Sequence, residues 1–210
     1  INTMIDYVHD GNTLFYDIYS DADKQADSRK NNTGLFFFRG EPGKPFAIVC
    51  PGGGFSYVGA IHEGFPLAIA LSKMGYNAFS IQYRTGGAQV ACEDLAGAID
   101  FIMRHAEELQ VSTDDYSLWG GSAGARMAAY LGSYGTQGFI SAVHPRPATV
   151  VMGYTGHSDY TRNDPPTYVV IGDNDAIASA SVMRQRVENL QAIGIDAEFH
   201  LFPNLRHGNR

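Results

Sequence analysis

The sequence predicts an α/β fold, with a mostly parallel central sheet flanked by helices. Three observations carry that prediction. Phe46 to Cys50 is an unbroken apolar run, as expected of a strand buried on both faces of a parallel sheet. From Phe46 onward strand-like and helix-like segments alternate, the pattern of right-handed β–α–β crossovers. The 210 residues are 44% hydrophobic and 18% charged, which is enough apolar material for a sizeable core.

Taken in order, Leu14 to Tyr19 alternates apolar and polar residues, and Leu35 to Arg39 is a short aromatic run. Both read as strands, separated by a polar, charged loop from Asp21 to Asn32. Gly40 to Pro45 has turn chemistry, with two prolines and two glycines. The buried strand at Phe46 stops at Pro51-Gly52-Gly53-Gly54. Phe65 to Met74 has helical spacing and ends at Gly75, a C′ glycine. Asn77 to Tyr83 reads as a strand. Val90 to Leu109 reads as one long amphipathic helix with Leu95, Ala98, Ile99 and Ile102 on one face. Tyr116 to Trp119 is a strand and Ala123 to Leu131 a helix of small residues. Strands follow at Thr149 to Tyr154 and Tyr168 to Ile171, then a helix from Ala176 to Ile193 and a last strand from Ala197 to Phe202. With no internal repeat or linker, the expected organisation is one domain over 1–210. Strands occupy 1–45 and a catalytic core occupies 46–210.

Several classes are disfavoured. The net charge of −7 argues against nucleic acid as the main partner, because phosphate binding needs a basic surface. No apolar run approaches the roughly 18 residues of a membrane span. Two cysteines are too few for a disulfide scaffold or a cysteine-rich zinc site, so no metal is expected. Cys50 and Cys92 fall on a buried strand and a helix, where packing accounts for both. The chain begins with Ile1 rather than Met and no signal peptide is visible, which favours a cytoplasmic protein and leaves a processed secreted form as the alternative. Composition leaves a homodimer open.

Chemistry concentrates in four places. Gly120-Gly121-Ser122-Ala123-Gly124 fits G-x-S-x-G and lies between a strand and a helix. A serine on such a turn sits in a strained backbone, its hydroxyl above the sheet edge and the helix N-terminus behind it. A capping serine on a glycine-rich turn would give the same letters. Pro51-Gly52-Gly53-Gly54-Phe55 supplies consecutive glycines at a strand end, where backbone N–H groups can face a developing oxyanion. It lacks the Gly-Lys-Ser/Thr of a nucleotide loop. Gly172-Asp173-Asn174-Asp175 follows another strand and offers two carboxylates to orient a base. Of the seven histidines, only His207 follows the final strand, where a loop can return to Ser122. His62 and His157 lie in loops that can face the same edge. The order is Ser, Asp, His, with each member after a strand, and it differs from the chymotrypsin-like and subtilisin-like orders.

On these residues the chain resembles the α/β-hydrolase-fold esterases, in particular the small acetyl-xylan-esterase-like and feruloyl-esterase-like group. The resemblance runs from about Phe46 to His207. It includes Pro51-Gly52-Gly53-Gly54, Gln82-Tyr83-Arg84, Glu93-Asp94-Leu95, Gly121-Ser122-Ala123-Gly124, Pro165-Pro166-Thr167, Gly172-Asp173-Asn174-Asp175 and His207-Gly208. It implies an α/β-hydrolase fold with Ser122, His207 and an acid that the G-x-x-D pattern makes Asp175 in preference to Asp173. It also implies an oxyanion hole from the N–H groups of Gly53, Gly54 and Ala123. Pro51 stands where many relatives have histidine, a change that leaves backbone donors intact. Relatives continue past the histidine into a closing helix, whereas this sequence ends at Arg210.

The expected reaction is hydrolysis of a carboxylic ester through an acyl-enzyme, with no cofactor. The connection from Tyr154 to Tyr168 is too short for a cap domain. An open, shallow site is therefore expected, suited to small acyl groups on a polar alcohol such as a carbohydrate. Tyr57, His62, Tyr154 and His157 are the candidate wall residues. The alternatives are another serine hydrolase on the same fold (an exopeptidase, thioesterase or lactone hydrolase) and a non-catalytic binding protein.

Overall fold

The computed structural model describes residues 1–209. Eight strands form one sheet in the order β1-β2-β4-β3-β5-β6-β7-β8. They are β1 (Phe15–Asp17), β2 (Gly34–Phe38), β3 (Pro45–Cys50), β4 (Asn77–Gln82), β5 (Ser112–Gly121), β6 (Thr149–Gly153), β7 (Thr167–Gly172) and β8 (Ala197–Phe202). The β1–β2 and β2–β4 pairs are antiparallel and every other pair is parallel. The parallel strands therefore end at one edge, and the loops that follow them meet there.

Helices cover both faces. Helix α3 (Phe65–Lys73) places Ala68 and Leu71 on Ala47, Val49 and Ala78. The opposite face carries Phe46, Ile48, Phe79, Ile81, Leu118 and Met152. It is packed by α4 (Ala88–Arg104), α6 (Ala123–Tyr134) and α7 (Ala180–Ala192), which bring Leu95, Ile99, Met127, Leu131, Met183 and Leu190. Residues 46 to 50 are all buried because each face of β3 has its own helix layer.

The structure departs from the sequence expectation in three places. The first 45 residues are not only strands: α1 (Asn2–His9) and α2 (Asp21–Ala26) flank β1. Helix α2 forms where a polar loop was expected because Ser20 and Asp23 make a reciprocal capping box. The long helix expected through residue 109 breaks at His105, leaving α5 (Ala106–Leu109) as a separate turn. Helix α7 begins at Ala180 rather than Ala176, because the Asp175 carboxylate takes the N–H groups of Ile177 and Ala178 and folds them into a turn.

Candidate active site

Ser122 sits between β5 and α6 with φ 52° and ψ −118°, a left-handed conformation that a non-glycine residue rarely adopts. Its N–H donates to the Gly153 carbonyl at 2.9 Å, which pins the turn to the neighbouring strand. The tight turn depends on Gly124, where a Cβ would lie 1.8 Å from the Cys50 carbonyl oxygen. The start of α6 thus packs directly on the end of β3. The Ser122 side chain makes no cap bond to its own helix. Instead its Oγ lies 3.0 Å from His207 Nε2.

His207 Nδ1 lies 2.9 Å from Asp175 Oδ2 and 3.1 Å from Oδ1. The Asp175 side chain is 1% exposed. Burial pushes its carboxyl upward in pKa. The N–H groups of Ala178 and Ile177, together with His207, outweigh burial and hold it below the ordinary carboxylate value. Asp173 has a different partner. Its Oδ1 accepts from the Asn204 N–H at 2.7 Å, so it fastens the turn after β8 and leaves the imidazole to Asp175. Tyr154 lies edge-on to the His207 ring, with centroids 5.2 Å apart.

The glycine loop after β3 is held from three sides. Glu63 accepts from the Gly52 N–H at 2.7 Å, Tyr83 donates to the Pro51 carbonyl at 2.6 Å, and the Gly53 carbonyl accepts from Ser56 and Tyr57. Gly53 has φ 137°, and a Cβ there would lie 2.0 Å from the Tyr57 carbonyl oxygen, so only glycine fits. Arg84, next to Tyr83, is locked by a buried ion pair with Asp94 at 2.8 Å and by Asp27 at 3.1 Å. The Gln82-Tyr83-Arg84 and Glu93-Asp94-Leu95 segments therefore brace this loop.

A cavity of about 330 Å³ opens at Ser122 and His207, lined also by Gly54, Phe55, Ala123, Arg126, Tyr154, Thr155 and Ile177. Of the four wall residues expected from sequence, only Tyr154 lines it. Tyr57 is 62% exposed and His62 is exposed on the π-helical turn Ala60–Gly64, both outside the cavity lining. His157 is 4% exposed and packs edge-on against Tyr130. Burial first, then the nearby Arg186 and Arg126 charges, push its pKa down to about 4, so it is a neutral packing residue behind the wall. Gly53 is absent from the lining while Gly54 and Ala123 are present. Sequence reasoning missed Arg126, Thr155 and Ile177, and named Phe55 only as the end of the glycine segment. Arg126 was findable, because it stands one helical turn beyond Ser122.

Three of the four remaining histidines are engaged elsewhere, and His9 ends α1. His144 meets Asp100 at 2.8 Å, His200 stacks on Tyr168 and meets Glu198, and His105 packs on Phe101. Among the described residues no group of histidine, cysteine or carboxylate side chains is arranged to hold a metal ion. No helix among them is long and apolar enough to cross a membrane.

The fold is shared with many solved structures. MGS-M1, an α/β hydrolase enzyme from a Medee basin deep-sea metagenome library, is 25% identical with a TM-score of 0.73, over 83% of this chain and 78% of that one. An acetyl ester-xyloside bifunctional hydrolase from Caldicellulosiruptor lactoaceticus is 20% identical with a TM-score of 0.80, over 92% and 86%. The carboxylesterase Cest-2923 from Lactobacillus plantarum WCFS1 is 19% identical with a TM-score of 0.73, over 84% and 80%. At that identity the last two speak to the fold alone. A search of curated proteins returned no match. The BD-FAE family model matches residues 39–149, more than half of the chain. The chain therefore belongs to the BD-FAE family and is an ester-hydrolysing enzyme of the α/β-hydrolase fold.

Proposed function

We propose that the enzyme cleaves carboxylic esters with small acyl groups, acetylated carbohydrates among them, through Ser122, His207 and Asp175. His207 Nε2 takes the proton of Ser122 Oγ as the oxygen attacks the acyl carbonyl. The tetrahedral oxyanion meets the N–H groups of Gly53, Gly54 and Ala123. One such donor contributes on the order of 3 kcal/mol of barrier lowering. Asp175 holds the proton on Nδ1 and stabilises the imidazolium. The Nε2 proton then passes to the departing alcohol, leaving an acyl-serine. Water, deprotonated by the same imidazole, attacks the acyl group, and the proton returns to Ser122.

The observation that carries this reading is the continuous hydrogen-bonded line from Ser122 Oγ through His207 to the buried Asp175, at the mouth of the cavity. The small-acyl preference rests on the cavity size and on the absence of any helix or strand between β6 and β7 that would roof it. Tyr154 and Thr155 would form the wall against the bound ester. Initial rates on 4-nitrophenyl acetate, butyrate, octanoate and palmitate test this. Acetate and butyrate turning over fastest is the expected result. A maximum at palmitate contradicts the small-acyl reading, and inertness toward all four contradicts the catalytic one.

A further inference from the structure

Arg126 is the one permanently charged side chain on the wall of the Ser122 cavity. It stands one turn along α6 from the serine, with its N–H bonded to the Ser122 carbonyl, and both residues line the same cavity. Its guanidinium lies 6.0 Å from the ring centre of Phe55, the residue that closes the glycine loop. No aspartate or glutamate lines this cavity. Arg29, Arg84, Arg104 and Arg186 each meet a carboxylate, whereas Arg126 meets none among the described residues. It remains exposed beside the reacting hydroxyl.

We propose that Arg126 is a specificity-determining residue that selects esters carrying a carboxylate close to the scissile bond. The proposal builds on the Ser122 reading above and names the substrate class of that site. An unpaired guanidinium presents a planar fork of donors that matches a carboxylate in two parallel bonds. The site offers a single cation, which suits a monoanion better than a phosphate dianion. The protein as a whole carries a charge of −7 and repels anions at long range, so the selection acts at contact distance. The carboxylate belongs either to the acyl chain or to the alcohol, and the two sources separate experimentally.

The test compares matched charged and neutral esters. On the alcohol side the pair is 4-acetoxybenzoate and 4-acetoxybenzamide. On the acyl side it is mono-4-nitrophenyl glutarate and its glutaramic counterpart, after subtraction of spontaneous hydrolysis. The readout is the ratio of kcat/KM, charged over neutral, so a general loss of activity cancels. In at least one pair the ratio is expected to be about tenfold or more. It should fall toward one in Arg126→Gln and in raised salt, with an intermediate value in Arg126→Lys. Ratios near one in the unmodified enzyme for both pairs overturn the proposal while leaving ester hydrolysis intact. So does a high ratio that Arg126→Gln does not change. Inertness toward every ester overturns the proposal together with the reading beneath it.

Discussion

The Tyr83 hydroxyl donates to the Pro51 carbonyl oxygen at 2.6 Å and so ties the end of β4 to the glycine loop after β3. Both groups are buried, and the bond spans two parallel strands whose ends frame the active-site edge. Tyr83→Phe removes the donor and leaves the carbonyl without its partner. The expected cost is about 1 to 3 kcal/mol of stability. Because Gly53 and Gly54 stand two and three residues after Pro51 on the same loop, kcat should fall with little change in KM. Denaturant melts and steady-state kinetics on 4-nitrophenyl acetate measure the two effects.

Asp175 and Asp173 lie two residues apart and do different work. Asp175 holds the imidazole and Asp173 fastens a turn. Asp175→Asn should lower kcat by roughly four orders of magnitude at neutral pH, because an amide favours the wrong imidazole tautomer. Asp173→Asn should retain activity. Equal losses in the two variants would contradict the assignment.

Asp175 also predicts a pH signature. Its carboxyl titrates lower in the folded protein than in the unfolded chain. The stability it contributes is full above the ordinary carboxylate value and is lost as pH falls through the folded value. The stability gap between the native protein and Asp175→Asn should therefore close on acidification below about pH 4.

His157 acts in a higher window and with the same proton preference, the folded state again favouring the deprotonated form, here the neutral imidazole. It is buried and neutral, with a pKa pushed down to about 4. Between that value and the ordinary one of about 6.5 the unfolded chain holds the extra proton, so stability falls as pH drops through the window. The slope due to this group approaches about 1.4 kcal/mol per pH unit. His157→Gln should flatten it, as read from denaturant midpoints across the window.

Gly124→Ala tests the seat of the serine turn. The added Cβ would fall 1.8 Å from a backbone oxygen of β3, which no side-chain rotation relieves. A loss on the order of 3 kcal/mol or more is expected, seen as a depressed melting temperature or lost soluble yield.

The parallel core was legible because strands buried on two faces read as apolar runs, as at 46–50. Ser122, Asp175 and His207, whose side chains lie within hydrogen-bonding distance in a line, were picked out by their places after β5, β7 and β8, although β8 is an edge strand with little of its length buried. Helix α2 was hidden because it buries no residue and has no apolar face to read. Its capping signal, Ser20 followed by Asp23, was nevertheless present. The cavity wall was least legible. Which side of a loop faces the site depends on local bonds, such as the π-helical turn that leaves His62 outward and the close packing that draws His157 inward. Arg126 was not picked out from the sequence, although its place one turn beyond Ser122 was there to read.

The central claim is that His207 makes Ser122 a nucleophile. Reaction with diethyl 4-nitrophenyl phosphate, followed by peptide mass mapping, tests it most directly. A single diethylphosphoryl group on Ser122, absent in His207→Ala, is the predicted result. No adduct on the folded protein, or an adduct on another residue, would contradict it.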